Sequence, residues 1–385
     1  MVTSYSVFVP ALMGSGSSKR IGINLRAKGH KKAFVIYDKG MWDFGIAQPI
    51  IENLNMAGIK TECFDGVSPD PPDEMVEEAA EIARKAKCDV IVGIGGGSSM
   101  DTAKGVNVLI NNEPPIRKYF GIQNNLKPGL PMVFIPTTAG TGSEVTNMTV
   151  ISCVSENRKD SVLSPVCTAS LAILDPDLTV SLPPGVTAAT GIDAFAHAVE
   201  SLTSGQANPM SDAMAQVAIR DIFKWLPVAI EDGKNIEARQ RMLEASMFAG
   251  MAFTNALVHL GHCLGHAFGA QFDIPHGNAC AVCLPEVIEW TARSESRKVR
   301  MICDCMGVSV PEDASWQETG ALAKDTIRAF LKKVNMPANI KQLGISLEDA
   351  KKIVPLVNAD TGLALCPYRI TRSGIEKMIE SAYNA

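Results

Sequence analysis

Residues 89–104 read DVIVGIGGGSSMDTAK, and this stretch decides the fold of the first half of the chain. Its β-branched residues predict a buried strand over Asp89–Ile94, and its glycines lead straight into a helix predicted over Ser98–Asn111. Glycine lets a backbone approach a ligand closely, and the free N–H groups at a helix start attract phosphate. Taken alone, the loop is explained equally well as a tight strand-to-helix turn or as a phosphate-binding loop.

The alternation of strand and helix extends on both sides of this unit. Short apolar runs predict strands at Tyr5–Val9, Ala33–Tyr37, Lys60–Phe64, Met132–Pro136, Thr146–Cys153 and Leu171–Leu174, with helices at Pro49–Met56 and Asp73–Lys87. Strands that alternate with helices are typical of a parallel sheet covered by helices on both faces. The first part of the chain is therefore predicted to be an α/β domain.

The pattern changes after the segment SLPP at 181–184. Apolar residues then recur at spacings of three and four, which predicts helices at Ser211–Trp225, Ile236–Thr254 and Glu318–Val334 without strand-like runs between them. A chain of 385 residues is also too long for one ordinary core. We therefore expect two domains, a parallel-sheet α/β domain at 1–182 and an all-helical domain at 183–385.

The composition excludes several classes of protein. A hydrophobic content of 46% with 20% charged residues is ordinary for a globular protein and excludes a disordered chain. The 36 basic and 41 acidic residues leave a net charge of −5, and no basic run with interleaved aromatics indicates nucleic acid as a partner. No apolar run of about 18 residues predicts a membrane span. The first residues lack the basic start of a signal peptide.

Ten cysteines are scattered along the chain, which indicates a reducing compartment and hence a cytoplasmic protein. Four of them have two interpretations: Cys280, Cys283, Cys303 and Cys305. They could form a structural zinc site, or they could be core thiols, because buried cysteine behaves as a small apolar residue. The segments around them lack the glycines that make the tight turns of a zinc ribbon, which favours core thiols.

A second polar loop, Thr137–Ser143, also follows a predicted strand. Two such loops at the carboxyl ends of strands in one parallel sheet predict a crevice for a dinucleotide. Asp38 follows the strand Ala33–Tyr37, and its carboxylate would bind a ribose but repel a 2′-phosphate, which favours NAD over NADP. The first loop departs from the Rossmann fingerprint G-x-G-x-x-G, because Met100 stands at its third glycine.

Five of the six histidines fall in two short segments of the second half. Asp193 and His197 are four residues apart in an apolar, helix-compatible stretch, so they face the same way on a helix. The other segment holds His259, His262, His266 and His276. One carboxylate with three imidazoles suits Fe²⁺, Zn²⁺ or a neighbouring metal, and leaves at least one histidine for another task. A metal facing the dinucleotide crevice would lie in an interdomain cleft, where a Lewis acid can act beside a nicotinamide.

Five segments resemble the iron-containing (group III) alcohol dehydrogenases. They are GGGSSMDTAK at 95–104, PTTAGTGSEVTN at 136–147, ATGIDAFAHAVES at 189–201, MAFTNALVH at 251–259 and GHCLGHAFGAQFDIPHGNA at 261–279. The resemblance extends over essentially the whole chain. It implies a homodimer or higher homo-oligomer whose subunits join an NAD(P)-binding α/β domain to a helical metal domain. The activity it implies is reversible hydride transfer between NAD and a small primary alcohol, diol or aldehyde.

The resemblance also implies roles for individual residues. The implied metal ligands are Asp193, His197, His262 and His276, and the neighbouring His266 is implied to contact the nicotinamide or to relay a proton. The implied cofactor contacts are Asp38, Gly95, Gly96, Gly97, Ser98, Thr137, Thr138, Thr141, Lys159 and Leu178. Asn147 and Phe253 fall on positions that border the substrate pocket, whereas His259 falls on none of these positions.

The sequence departs from the family pattern in three places, one of which is the histidine segment, where His259, Cys263 and Gly265 vary the usual text. Residues 69–72 read PDPP, so Asp70 adds a carboxylate beside an expected cofactor contact, and residues 360–369 differ near the implied substrate pocket. Three alternatives stay open: a zinc glycerol-dehydrogenase-like or lyase-type enzyme of the same superfamily, a metallohydrolase, and a non-catalytic nucleotide-binding protein. The motifs do not name the alcohol. Fe²⁺ is the favoured metal, with Zn²⁺ or Ni²⁺ as substitutes.

Overall fold

The computed structural model describes residues 9–156 and 158–385. Of the strand predicted at Tyr5–Val9, only Val9 lies within the described residues, and the first strand there is β1, at Ala11–Met13. The later strands include every predicted run and two that the sequence did not predict, β5 and β8. They are β2 (Lys32–Ile36), β3 (Lys60–Phe64), β4 (Val90–Gly95), β5 (Gly121–Ile122), β6 (Met132–Pro136), β7 (Met148–Cys153), β8 (Arg158–Leu163) and β9 (Leu171–Leu174).

Six strands form one sheet in the order β1-β9-β6-β4-β2-β3, and every neighbouring pair is parallel. The register pairs Ala33 with Val90 and Ile91 with Met132. The residues of β4 and β6 are buried along their whole length, as central strands of a parallel sheet should be. A second, small sheet has the order β5-β8-β7, in which β7 and β8 run antiparallel.

Five helices accompany these sheets in one compact unit, made of the described residues up to Thr138 together with Gly142–Ser181. They are α1 (Ile21–Ala27), α2 (Lys39–Asp43), α3 (Ala47–Met56), α4 (Asp73–Ala86) and α5 (Gly97–Ile110). The three helices predicted here are present, with ends shifted by one or two residues. In α4, apolar spacing sets the buried face, since Val76, Ala80 and Ala83 are all buried there.

The second compact unit, Leu182–Ala385 with Ala139–Thr141, is helical. Its helices are α6 (Pro184–Thr203), α7 (Pro209–Glu231), α8 (Ile236–Ala256), α9 (Leu260–Phe272), α10 (His276–Cys305), α11 (Trp316–Lys333), α12 (Leu347–Lys351), α13 (Val354–Ala359) and α14 (Arg372–Asn384). The predicted parallel α/β plus all-helical architecture is confirmed. Across the described ranges, every helix is too short or too polar to cross a bilayer.

The first turn of α10 touches the backbone of α6. A Cβ added at Gly277 would lie 2.1 Å from the Ala189 carbonyl oxygen, so no larger residue fits. We expect Gly277→Ala to push the two helices apart and to lower the free energy of unfolding by about 1–3 kcal/mol. Gly185→Ala on α6, where an added Cβ meets nothing within 4 Å, should be neutral or stabilising by up to about 1 kcal/mol. Thermal unfolding of the two variants tests both predictions. Equal unfolding midpoints for Gly277→Ala and Gly185→Ala would contradict them.

Candidate active site

A buried carboxylate lies among three imidazoles in the helical unit. Asp193 and His197 lie one turn apart on α6, His262 is on α9, and His276 is the first residue of α10. Asp193 Oδ1 lies 3.9 Å from His197 Nδ1, 3.9 Å from His262 Nε2 and 3.4 Å from His276 Nε2. Two donors bound to one tetrahedral metal at about 2.1 Å would stand about 3.4 Å apart. Three of the four predicted ligands, Asp193, His262 and His276, therefore have donor atoms within 4.8 Å of one another, a spacing that fits a metal ion. The fourth, His197, lies 3.9 Å from the Asp193 carboxylate.

Three of these donor atoms lack a hydrogen-bond partner within the described part of the chain. They are Asp193 Oδ1, His197 Nδ1 and His262 Nε2, and all three are buried. A buried polar atom without a partner costs about 1–3 kcal/mol. Three such atoms that converge are explained if a cation joins them, and carboxylate with imidazole is a donor set that suits iron, zinc or nickel.

The protonation states of the site also suit a cation. Burial works to raise the pKa of Asp193, but the surrounding imidazoles, His197 foremost, outweigh it and hold that pKa below its usual value. Burial holds the pKa of His262 well below its usual value, and His197 and His276 lower it further. At neutral pH the carboxylate is therefore an anion and the His262 ring is neutral, which are the forms that bind metal.

Glu200 holds His262 from the side opposite Asp193, and the sequence reasoning missed it. Its fully buried carboxylate accepts a hydrogen bond from His262 Nδ1. It also accepts from the backbone N–H groups of Gly261, at 2.7 Å, and of His262, at 3.0 Å, in the first turn of α9. Proteins orient metal-binding histidines in this way, because the carboxylate fixes the ring and leaves Nε2 for the metal. The signal was the spacing of residues 193, 197 and 200, which share one helix face.

His259 lies apart from the converging donors. Its ring is fully buried, with Nε2 2.9 Å from Thr203 Oγ1 and Nδ1 3.3 Å from Glu200 Oε1. Burial lowers the pKa of this ring. These contacts favour a structural role for His259, which is consistent with its place outside the implied ligand set.

His266 is half-exposed and bonded to a carboxylate that the sequence left without a role. Its Nδ1 donates to Asp360 Oδ2 at 2.9 Å, which assigns the acceptor position to Nε2. Burial works to raise the pKa of Asp360, but the hydrogen bond from His266 and its charge outweigh it and lower the pKa. The His266 ring stacks on the ring of His276, with centroids 5.6 Å apart. Asp360 thus ties the predicted catalytic histidine to the unusual 360–369 segment.

The four cysteines of α10 do not share one environment. Cys283 and Cys303 are fully buried in the apolar core of the helical unit, and Cys305 is partly buried. Cys280 is also buried, but its Sγ lies 3.7 Å from His276 Nε2. The structure therefore favours core thiols for three of them and places the fourth beside the candidate metal ligands.

The predicted cofactor residues of the other unit gather where neighbouring strands end. Asp38 follows β2, Gly95 ends β4, and Thr137 follows β6 and donates its backbone N–H to the Gly95 carbonyl at 3.0 Å. Gly95 has a φ of +137°, and a Cβ added there would lie 2.5 Å from Ser99 Oγ and 3.5 Å from Asp38 Oδ2. The turn thus requires glycine, and it lies close to the Asp38 carboxylate. Gly96 and Gly97 lead into α5, whose first N–H groups form a suitable site for phosphate.

The remaining predicted residues are more scattered. Lys159 pairs with Asp70 at 2.7 Å, so the unusual carboxylate partly neutralises an implied cofactor contact. Leu178 packs against the core of the parallel sheet. Thr138 belongs to the α/β unit, whereas Thr141 belongs to the helical unit. Phe253 stacks on His197 with ring centroids 4.7 Å apart. Asn147 lies in the α/β unit, where its carbonyl accepts a hydrogen bond from the Ser164 backbone N–H at 2.9 Å.

Comparison with known proteins gives one consistent result. Residues 10–176 match the model of the family described as iron-containing alcohol dehydrogenase, and residues 187–383 match the model of its C-terminal part. An NAD-dependent methanol dehydrogenase from Bacillus methanolicus is 33% identical over 384 residues, covering 99% of this chain and 100% of the relative. The resemblance inferred from the motifs is therefore confirmed at the level of the whole sequence.

Solved structures agree. A crystal structure of a 1,3-propanediol oxidoreductase matches with a TM-score of 0.95 at 33% identity, over 100% of both chains. A sulfoacetaldehyde reductase from Bifidobacterium kashiwanohense, solved in complex with NAD⁺, matches with a TM-score of 0.89 at 31% identity, over 99% of both chains. Fold, donor set and sequence models lead to the same result, and the chain belongs to the iron-containing alcohol dehydrogenase family.

Proposed function

We propose that this protein is a metal-dependent, NAD-linked alcohol dehydrogenase, which transfers a hydride reversibly between NAD and a small primary alcohol, diol or aldehyde. The observation that carries the proposal is the convergence of three buried donors without hydrogen-bond partners in the described residues, on Asp193, His197 and His262, beside His276. We propose these four residues as the metal ligands. When bound, a divalent metal would supply Lewis acidity toward an alcohol or carbonyl oxygen, and NAD would carry the hydride.

The α/β half supports NAD as the cofactor. Asp38 lies beside the Gly95 turn, where its negative charge would repel the 2′-phosphate of NADP. We propose 1–182 as the NAD-binding domain and 183–385 as the metal-binding domain. The proposed cofactor contacts are Asp38, Gly95, Gly96, Gly97, Ser98, Thr137, Thr138, Thr141, Lys159 and Leu178, and the proposed substrate-pocket residues are Asn147 and Phe253. Fe²⁺ is favoured, and the same donors suit Zn²⁺ or Ni²⁺.

The proposal also covers the substrate class, the cellular compartment and the oligomeric state. The relatives act on methanol, 1,3-propanediol and sulfoacetaldehyde by their names, which supports a short alcohol or aldehyde without choosing one. Ten free cysteines support a cytoplasmic protein, because disulfides rarely persist in that compartment. A homodimer is proposed from the family resemblance.

We propose that His266 handles the proton that an alcohol releases. Its Nδ1 is occupied by Asp360, so Nε2 is the nitrogen that can accept and pass on a proton. The half-exposed ring can exchange that proton with solvent. Asp360 acts as a positioning residue, since it fixes the tautomer of the ring without contacting substrate.

Asp360→Asn is expected to lower kcat about ten- to a hundredfold, which is part of the hundred- to ten-thousandfold that a well-placed acid or base contributes. NADH affinity should be unchanged, and the solvent deuterium isotope effect on kcat should rise because proton transfer becomes slower. The control is Asp349→Asn, which disturbs an exposed pair with Lys352 and a hydrogen bond from the Ser346 hydroxyl, both outside the candidate site. An unchanged isotope effect with a full loss of bound metal would contradict this role.

The proposed function is tested by following NADH absorbance with a panel of short, branched and hydroxylated aldehydes, on anaerobically purified protein whose metal content is measured. We expect turnover of one or more aldehydes by the metal-containing protein. His262→Ala should lose metal and turnover together, whereas His30→Ala, which removes a partly buried pair with Asp89 in the α/β unit, should keep both. Silence across the panel with metal bound would favour the hydrolase or lyase alternatives, and full activity of His262→Ala would refute the ligand assignment.

A further inference from the structure

Cys280 faces the same space as the candidate metal ligands. It follows His276 by four residues on α10, so the two side chains share one face of the helix. Its Sγ lies 3.7 Å from His276 Nε2. The donor atoms of Asp193, His262, His276 and Cys280 all lie within 4.8 Å of one another. The thiol therefore belongs to the same 4.8 Å group as three of the candidate metal ligands.

The packing around the sulfur keeps it in this position. Cys280 is 1% exposed, and a Cβ added at Gly265 on α9 would lie 2.6 Å from its Sγ. A glycine at 265 is thus what gives the sulfur room between the two helices. Both Cys280 and Cys283, one turn further along α10, border the apolar core, but only Cys280 belongs to this group of donors.

We propose that Cys280 supplies a sulfur donor to the metal, so that the site has five donors rather than the four predicted from the sequence. The inference rests on the metal site of the proposed function. A weak hydrogen bond between the thiol and His276 would satisfy only that one contact. It would leave Asp193 Oδ1 and His262 Nε2, both buried and aimed into the same space, without partners among the described residues.

Coordination changes the chemistry of the site in a defined direction. The S–H proton leaves to solvent as the sulfur–metal bond forms, and no oxidant or reductant takes part. Thiolate is a softer donor than carboxylate or imidazole and favours zinc. Loss of the sulfur should therefore weaken Zn²⁺ binding more than Fe²⁺ binding. We expect Zn²⁺ affinity to fall at least about ten- to a hundredfold, the range typical of losing a contact that supports a metal ligand.

The test uses full-length protein reconstituted with Co²⁺, whose visible bands report binding and whose near-ultraviolet charge-transfer band reports a thiolate ligand. Wild-type protein and Cys283→Ser should show both features. Cys280→Ser should keep the visible bands and lose the charge-transfer band. As a measurement that needs no variant, X-ray absorption of the zinc-loaded wild-type protein should show sulfur at about 2.3 Å.

The outcomes separate the two proposals. Visible cobalt bands without a charge-transfer band, and a zinc spectrum without sulfur, would overturn the role of Cys280 and leave the Asp–His site standing. A charge-transfer band that survives in Cys280→Ser but disappears in Cys283→Ser would overturn it as well. Failure of the wild-type protein to bind Co²⁺ or Zn²⁺ at all would overturn the proposed metal site itself, and the sulfur donor with it.

Discussion

Asp193→Asn is expected to abolish metal retention and to lower kcat/KM by about a thousandfold or more. The substitution keeps the shape of the side chain but removes the negative charge that lies within 4 Å of all three rings, those of His197, His262 and His276. A neutral amide oxygen is a much poorer partner for a divalent cation than a carboxylate. Lewis-acid assistance is worth several kcal/mol, and each 1.36 kcal/mol corresponds to about a tenfold change in rate.

The measurement is metal content together with thermal unfolding, with and without added metal. Wild-type protein should gain about 2.7 kcal/mol of stability at a free metal concentration a hundred times the dissociation constant, and Asp193→Asn should gain nothing. Asp212→Asn, which breaks a half-buried pair with Lys298 in the same helical unit, is the matched control and should respond as the wild type does. A variant at 193 that keeps stoichiometric metal would contradict the assignment.

Glu200→Gln should be the next most damaging change, although Glu200 is not among the proposed metal ligands. The carboxylate accepts from His262 Nδ1 and from two backbone N–H groups of α9. An amide offers one acceptor oxygen and turns an NH₂ group toward donors, so at least one buried N–H loses its partner. We expect a loss of about 1–3 kcal/mol in the free energy of unfolding and of about ten- to a hundredfold in metal affinity.

Isothermal titration of the metal-free protein with Zn²⁺ and denaturant unfolding measure these two effects separately. The control is Glu244→Gln, which disturbs a partly exposed pair with Arg241 and a hydrogen bond from the Gln240 amide, both outside the candidate site. Normal metal affinity in a destabilised Glu200→Gln protein would show that Glu200 caps α9 without orienting His262. Normal metal affinity and normal stability of Glu200→Gln would show that Glu200 neither orients His262 nor caps α9.

The ligand positions could be foreseen because helical spacing is local. Asp193 and His197 are one turn apart whatever the rest of the chain does, and the same holds for His276 and Cys280. The sequence reasoning grouped Cys280 with Cys283 because it weighed spacing between cysteines and not between unlike donors. Glu200 was missed for a related reason, since a glutamate at the end of an apolar helix is usually solvated. The burial of Glu200 depends on the packing of α9 against α6, and no local sequence pattern shows that packing.

The fold was predictable where segments were strongly apolar. Strands such as β6 and β9 have the predicted bounds, because a central strand of a parallel sheet must be apolar along its whole length. β8 was missed because Arg158–Leu163 holds charged and polar residues, although it is the middle strand of the small three-stranded sheet. The helix predicted to end at Trp225 continues through Pro227 to Glu231, where burial of Ala229 outweighs the disruption that proline causes.

The Glu200 carboxylate also joins two events that are usually separate, the capping of a helix and the orientation of a metal-binding ring. The amides of Gly261 and His262 are tied to the same two oxygens that hold the His262 imidazole. Because Glu200 holds both, fraying of the first turn of α9 would loosen the His262 ring, and a cation held by that ring would steady the turn. Hydrogen exchange of the Gly261 and His262 amides should slow when metal is bound. Their exchange rates would therefore report metal occupancy without any substrate.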